Sequence, residues 1–528
     1  MAKKDKLCQS YDVIIIGAGH NGLCAAVLLA KRGRRVLVLE KREQVGGAAV
    51  TESPWGPKYK VSTLSYVVSL MPYKVIHELD LVKHGYYVYP QHGYFAPRKD
   101  GRYLQLTGGL FRKCDEIAKF SKRDANAFVR WDKWLSDFGA VFGPLLTTVP
   151  PRFGSRRFKD LWKQSKLAWR MRGLGVDGFA DLTRLMTMSV SDLLDDYFES
   201  PEVKGLLSVS GIIGTWGGPR TPGTAFVMAH HKIGDSWGFH HGGMGGLTQV
   251  MLDAAQSFGV EVFVNADVER ILTRGGKAIG VALANGLELK APIVISTAHP
   301  KITFLRFLEK KELPEQFVRD IERWKTRSGT VKINLAVDRL PRFKCKPEID
   351  PEVHGGTIVL AESVTDLEDA FQNAVAGYPA FTPFADICIP SVFDPTLAPP
   401  GQDIVSMFTQ WVPCEWASEP NPQYLEVYAK RVIDRVEQVA PGFKDSILQQ
   451  QVIGPYEMEK KYNLIGGNIF HGELSASQVF HMRPAPGYAD FTTPIRGLYN
   501  ASSASHGGGG VTAIPALQVA RLITGGFK

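Results

Sequence analysis

Hydrophobic positions change period several times along the chain, and the changes divide it into segments. Residues 12–16, Asp-Val-Ile-Ile-Ile, form a β-branched run that reads as a strand buried on both faces. An alanine- and leucine-rich helical pattern follows over 23–32 and stops at Gly33. Residues 35–39, Arg-Val-Leu-Val-Leu, read as a second buried strand that closes on Glu40. From 111 to 245 apolar positions fall mostly at helical spacing, for example over 181–197. Strand patterns return at 260–264, 280–283 and 292–296. Residues 310–454 mix strands at 331–337 and 404–409 with helices such as 423–439. The chain ends on a strand at 497–501, a serine- and glycine-rich loop, and an apolar helix from about 511 to 523.

The pattern predicts an α/β protein with a Rossmann-type nucleotide domain assembled from three segments, 1–110, 246–309 and 455–528. A helical insertion over 111–245 and a mixed-sheet substrate domain over 310–454 interrupt it. With 528 residues the chain exceeds what one core holds, so several units are expected.

The turn between the first strand and helix is Gly17-Ala18-Gly19-His20-Asn21-Gly22, a G-x-G-x-x-G. Gly17 permits the tight turn, Gly19 lets the backbone approach a pyrophosphate, and Gly22 lets helix and strand pack closely. The helix start offers free N–H groups and a positive dipole end. Glu40, 18 residues beyond Gly22, can accept the ribose hydroxyls. NAD and FAD share this unit. Two features favour FAD: Gly46-Gly47 suits a second close backbone approach, and the C-terminal strand–glycine loop–helix suits a flavin ring, whose reduced form carries negative charge.

Composition narrows the classes. Apolar content of 44% and charged content of 22% are those of a globular protein, and the six cysteines are scattered with no C-x-x-C. Neither a dithiol pair nor a metal site is expected, and the free thiols suit the reducing cytoplasm. Residues 1–9 are lysine-rich and do not read as a secretory leader, and no apolar run is long enough to span a bilayer. The formal net charge is +9, and residues 151–172 hold eight basic side chains against the single acid Asp160, interleaved with aromatic residues. That segment suits peripheral contact with an anionic membrane surface or a solvated helix packed on its own domain; no nucleic-acid motif accompanies it.

The loop from Gly17, the stretch 40–47 and the C-terminal His506-Gly-Gly-Gly-Gly resemble the phytoene (carotenoid) desaturase family of FAD-dependent oxidoreductases. Residues 168–172, Gly242-Gly243-Met244-Gly245 and 466–472 (Gly-Gly-Asn-Ile-Phe-His-Gly) resemble one branch of that family. The resemblance implies that Gly17, Gly19, Gly22 and Glu40, with Gly46 and Gly47, hold the ADP half of FAD. It puts Asp267 and Val268 near the adenine, and Ser502, Gly509, Gly510 and Val511 at the flavin end. Gly507 stands where the family shows a proline, and Pro515 is compatible with the last helix only in its first turn.

The implied reaction is desaturation or saturation at a CH–CH bond of an isoprenoid, polyene or other apolar lipid-like substrate. Flavin amine oxidation and a non-catalytic flavin-bearing interaction protein stay open as alternatives. Oxygen, a quinone or a nicotinamide could each serve as electron acceptor, and self-association is likewise open. Candidate proton-handling residues are His471 with Asn468, then His506, with the pair His240-His241 behind them; Trp216 is a candidate pocket wall or core residue.

Overall fold

The computed structural model describes residues 10–231 and 237–525. Cys8 and the lysine-rich start lie outside the described residues. The β-branched run forms the strand Val13–Ile16, the middle of a five-stranded parallel sheet. Ile293–Ser296 and then Leu498–Asn500 lie on one side of it, Val36–Leu39 and Glu261–Phe263 on the other.

Alternation along each strand explains why such short runs are wholly apolar. Val13 and Ile15 face a core with the helices His20–Ala30, Gly243–Ser257 and Ile514–Thr524. Ile14 and Ile16 face the other way, into a core closed by the antiparallel meander Val268–Arg274, Lys277–Leu283 and Glu288–Lys290. A strand covered on both faces must be hydrophobic at both parities.

The second sheet has seven strands, in the order Ile447–Ile453, Thr330–Val337, Asp403–Gln410, Phe384–Cys388, Thr357–Leu360, Gly93–Pro97, Tyr103–Thr107. It is mixed: Thr357–Leu360 runs parallel to Gly93–Pro97, and the other neighbours are antiparallel. One face buries Val331, Ile333 and Leu335 against the helices Pro201–Ile212, Val364–Val375 and Pro422–Val439. The architecture is therefore the α/β fold expected, with a discontinuous Rossmann-type domain and a mixed-sheet partner.

Three boundaries differ from the sequence expectation. The hairpin over 93–107 belongs to the seven-stranded sheet rather than the first nucleotide segment, because Phe95, Leu104 and Leu106 bury into that sheet's core. Gly238–His240, inside the nominally helical insertion, is a strand paired antiparallel with Val88–Pro90. The helical stretch over 181–197 is two helices, Gly175–Thr187 and Val190–Asp195. Met188 turns extended at their junction, and the Ser189 hydroxyl accepts from the Asp192 N–H to start the second.

Candidate nucleotide-cofactor site

At the first turn, Gly17 sits at φ +96°, and a Cβ there would stand 2.5 Å from Thr297 Oγ1. A Cβ on Gly22 would lie 1.9 Å from the Gly17 carbonyl oxygen, so both positions exclude any larger residue. Gly19 precedes the helix His20–Ala30 and pairs with Gly46, whose N–H donates to the Ala18 carbonyl at 2.9 Å. The two glycine segments thus form one bare-backbone cradle at a helix N-terminus, where donors and dipole favour an anion. Glu40 is buried at the end of its strand and accepts from the N–H groups of Ala18 (2.8 Å) and Arg42 (3.0 Å). Those bonds fix the carboxylate against the glycine loop.

The stretch Gly242-Gly243-Met244-Gly245 does not line the cavity but backs the Gly46 segment, where a Cβ on Gly46 would meet Thr248 Oγ1 at 3.0 Å. It starts the helix Gly243–Ser257 against residues 49–62, with Gly245 N–H on Thr51 Oγ1 and Met244 N–H on Ser62 Oγ. Thr248 Oγ1 donates to the Ala49 carbonyl. A Cβ on Gly245 would meet the Thr51 backbone at 2.5 Å, so only glycine admits that approach.

The C-terminal loop closes onto the same turn. Asn21 Nδ2 donates to Ser503 Oγ at 3.3 Å, and His230 Nε2 donates to the Gly509 carbonyl at 2.8 Å. The helix after it begins at Ile514 rather than 511, and Pro515 is its second residue, where a missing N–H costs nothing.

Loop 466–472 supplies a further wall. Cβ atoms on Gly466, Gly467 and Gly472 would collide with Thr326, Pro455 and Trp324 at 2.1, 2.6 and 2.3 Å, so the loop lies flat on those residues. Asn468 locks it: its Oδ1 accepts from the N–H groups of Phe470 and Gly472, and its Nδ2 donates to the Arg327 carbonyl. The loop presents His471, whose carbonyl accepts from Trp324 Nε1 (2.9 Å) and His299 Nε2 (3.1 Å). Burial, with Arg483 nearby, holds the His471 imidazole neutral by lowering its pKa to about 4. Its Nδ1 has no hydrogen-bond partner, and neither has His20 Nε2 or Asn21 Oδ1, all three buried.

These walls enclose a cavity of about 610 Å³. Gly17, Gly19, Glu40, Gly46, Gly47 and Val268 line it together with Gly510, Val511 and His471. The same lining includes Tyr66, Trp237, Ile213, Phe408 and Ile469, which make up its mostly apolar part, the chamber. The chamber floor is the second face of the strand Thr330–Val337, which carries a lysine only 1% exposed, Lys332. Lys332 Nζ donates to Ser406 Oγ and sits 4.4 Å from the Tyr66 ring centroid. Its nearest partners are a hydroxyl and an aromatic face, so burial pulls its pKa down from 10.5 to about 7. Tyr66 donates to Asp386 Oδ1 at 2.9 Å, and burial raises Asp386 to about 6.

A family model described as NAD(P)-binding Rossmann-like domain matches residues 15–77, the cradle itself. The mouse protein named pyridine nucleotide-disulfide oxidoreductase domain-containing protein 2 is 36% identical, over 98% of this chain and 94% of its own length. The chain belongs to that protein's family. It is the branch that the motifs at 168–172, 242–245 and 466–472 resemble. A limonene dehydrogenase polypeptide from Castellaniella defragrans is 26% identical over 95% of this chain and 92% of its own. Among solved structures, cyclohexylamine oxidase from Brevibacterium oxydans superposes with a TM-score of 0.58. It is 17% identical and covers 98% of this chain and all of its own, a likeness of fold. The chain is an oxidoreductase of the FAD-dependent family. Despite the family's name, every cysteine among the described residues is a free thiol.

Of the residues singled out from sequence, those at Gly17, Gly19, Glu40, Gly46, Gly47, Val268, Gly510, Val511 and His471 come together on one cavity. Gly22, Ser502 and Gly509 stand one layer behind it: Ser502 Oγ accepts from the Ala504 N–H, and the Gly509 carbonyl is held by His230. Asn468 holds the loop rather than lining the cavity. His506 is also outside the lining, its Nε2 donating to the Leu145 carbonyl. His240 bonds the His241 carbonyl, His241 faces Asp394 at 3.4 Å, and Trp216 packs edge-on against Phe371 in the large core. Lys332, Tyr66 and Asp386 were missed. A lysine inside Thr-Val-Lys-Ile-Asn-Leu-Ala-Val, a strand otherwise fit for burial on both faces, was the available signal.

Proposed function

We propose that this chain binds FAD along the cavity and uses it to remove or add hydrogen across a CH–CH bond of an apolar small molecule held in the Tyr66–Phe408 chamber. The observation that carries the reading is the continuity of one cavity. It runs from a helix N-terminus and a buried carboxylate to an apolar chamber floored by a buried lysine. A dinucleotide fits the cradle: the bare glycine backbone leaves room for a pyrophosphate, Glu40 can accept ribose hydroxyls, and the orphaned atoms of His20, Asn21 and His471 want polar partners. Bound there, FAD supplies hydride transfer.

The chain's own residues do the rest. The cradle and Glu40 hold the nucleotide, while Gly510, Val511 and the flat 466–472 loop form the wall where the cradle gives way to the chamber. Trp237, Ile213, Phe408 and Ile469 exclude water and favour a hydrocarbon. Loss of hydrogen from a CH–CH unit releases a proton besides the hydride, and Lys332 Nζ, neutral above about pH 7, can take it up. The limonene dehydrogenase relative supports a hydrocarbon substrate.

Purified protein should be yellow, with absorbance near ~450 nm from bound flavin. Anaerobic addition of isoprenoid or lipid extract should bleach it, and primary amines should not. Protein that stays colourless after incubation with FAD sinks the cofactor reading. Bleaching by amines alone moves the chemistry to amine oxidation, the activity named for the cyclohexylamine oxidase of the same fold.

A further inference from the structure

The chain between the long helix Lys122–Leu146 and residue 188 forms a helical hairpin, Phe158–Arg172 followed by Gly175–Thr187. On the first helix Gln164, Leu167 and Met171 recur at intervals of three and four and are half-buried, so this stripe faces the protein. The opposite stripe, Phe158, Leu161, Trp162 and Trp169, has the same helical spacing and lies bare: Phe158 is 82% exposed, Trp162 60% and Trp169 75%. On the second helix Val176 (86%) and Phe179 (54%) are also exposed. Lys163 and Lys166 flank the stripe in the open, with Lys166 Nζ 5.4 Å from the Trp162 ring centroid. Arg156, Arg157 and Arg172 are exposed as well.

We propose that this hairpin is a docking surface for an anionic lipid surface. Charge complementarity selects that occupant. Exposed tryptophan and phenylalanine rings suit the boundary between headgroup and acyl chain, and lysines beside them meet lipid phosphates. A second copy of the chain fits poorly, because a two-fold contact through this face would set one basic flank against another.

The root of the hairpin is fastened to the nucleotide domain. Arg152 pairs with Asp490 at 2.8 Å, Gln164 Nε2 donates to the Arg152 carbonyl at 2.7 Å, and Phe153 packs edge-on against His481. Just before it, Leu145 and Thr147 accept from His506 and Gln518. A lipid surface held by the hairpin therefore holds the C-terminal loop of the cavity in a set orientation. None of these exposed residues lines the cavity, so docking and the proposed chemistry fail or stand separately.

The test is flotation of the full-length, flavin-loaded protein with phosphatidylcholine vesicles, with and without phosphatidylserine. Wild type should float with the anionic vesicles about fivefold more than with the neutral ones, and lose that excess in high salt, where the Debye length shrinks to ~3 Å. Phe158→Ser/Trp162→Ser/Trp169→Ser and Lys163→Glu/Lys166→Glu should each cut flotation about fivefold while melting temperature and flavin absorbance hold. Equal flotation of variants and wild type overturns the proposal, as does a wild type that stays at the bottom of the gradient. A dimer in sedimentation velocity that both variants dissolve would assign the face to self-association and equally overturn it.

Discussion

In the proposed reaction the chemistry turns on Lys332. If its Nζ handles the proton, Lys332→Met should lower turnover by about 100-fold or more, the usual contribution of a positioned acid or base, with flavin absorbance intact. Unchanged turnover would remove it from the reaction. The same group has a thermodynamic signature. Its folded pKa of about 7 lies below the ordinary 10.5, so between those values the unfolded chain binds more protons than the folded one. Stability should therefore rise from pH 7 to 10.5, and Lys332→Met should flatten that slope in denaturant titrations. Asp386 works in the opposite sense: raised to about 6 by burial, it makes the folded state bind more protons and costs stability as pH climbs from 4 to 6. Nothing in residue-by-residue reading could pair these groups, since Tyr66, Lys332 and Asp386 come from distant stretches. His471 was singled out because it lies in the 466–472 motif that carries the family resemblance, and it lines the cavity. The expectation that Asn468 and His506 join it met side chains bonded to backbone elsewhere, Asn468 within its own loop and His506 on the Leu145 carbonyl, a use that sequence does not display.

At the scale of elements, the strand–loop–helix of 12–40 was readable nearly whole, because its requirements are local. Gly22 illustrates the reason: the 1.9 Å approach to the Gly17 carbonyl is set by two residues five apart. Gly22→Ala should separate helix from loop, lower stability by about 1–3 kcal/mol and leave the purified protein colourless. Retention of flavin at wild-type affinity would mean the helix can shift without disturbing the cradle. The loop 466–472 should respond differently. Asn468→Ala strands the N–H groups of Phe470 and Gly472 and should cost about 1–3 kcal/mol in chemical denaturation, with the cradle still able to take flavin. The hairpin over 93–107 and the strand Gly238–His240 were misassigned for the converse reason. Their partners lie 140 residues or more away in sequence, and alternation alone does not say which sheet a strand joins.

Taken whole, the molecule draws its cavity from every third of the chain: Gly17–Glu40, then Val268 and Lys332, then His471 and Gly510. A ligand that bridges such segments stabilises all of them together. Added FAD at 100 times its Kd should raise stability by about 2.7 kcal/mol and move the melting temperature with flavin concentration. A melting temperature indifferent to FAD would contradict binding at this cavity. The discontinuous domain itself was legible, because each segment carried its own strand signature and the last returned to a glycine loop. No described helix is long and apolar enough to cross a membrane.

The place of Leu498–Asn500 at one edge of the parallel sheet bears on how the protein is made. A ribosome adding about 5–20 residues per second needs roughly 25 to 100 seconds to reach this strand after making the sheet's central strand at residues 13–16. Until those residues emerge, the nucleotide half lacks its edge strand and the helix Ile514–Thr524 that packs beside it, leaving an open strand edge and bare apolar surface. Nascent chains arrested before residue 498 should therefore hold no flavin and lean on chaperones, and loading of the cofactor should wait until the strand Leu498–Asn500 and the helix Ile514–Thr524 have emerged.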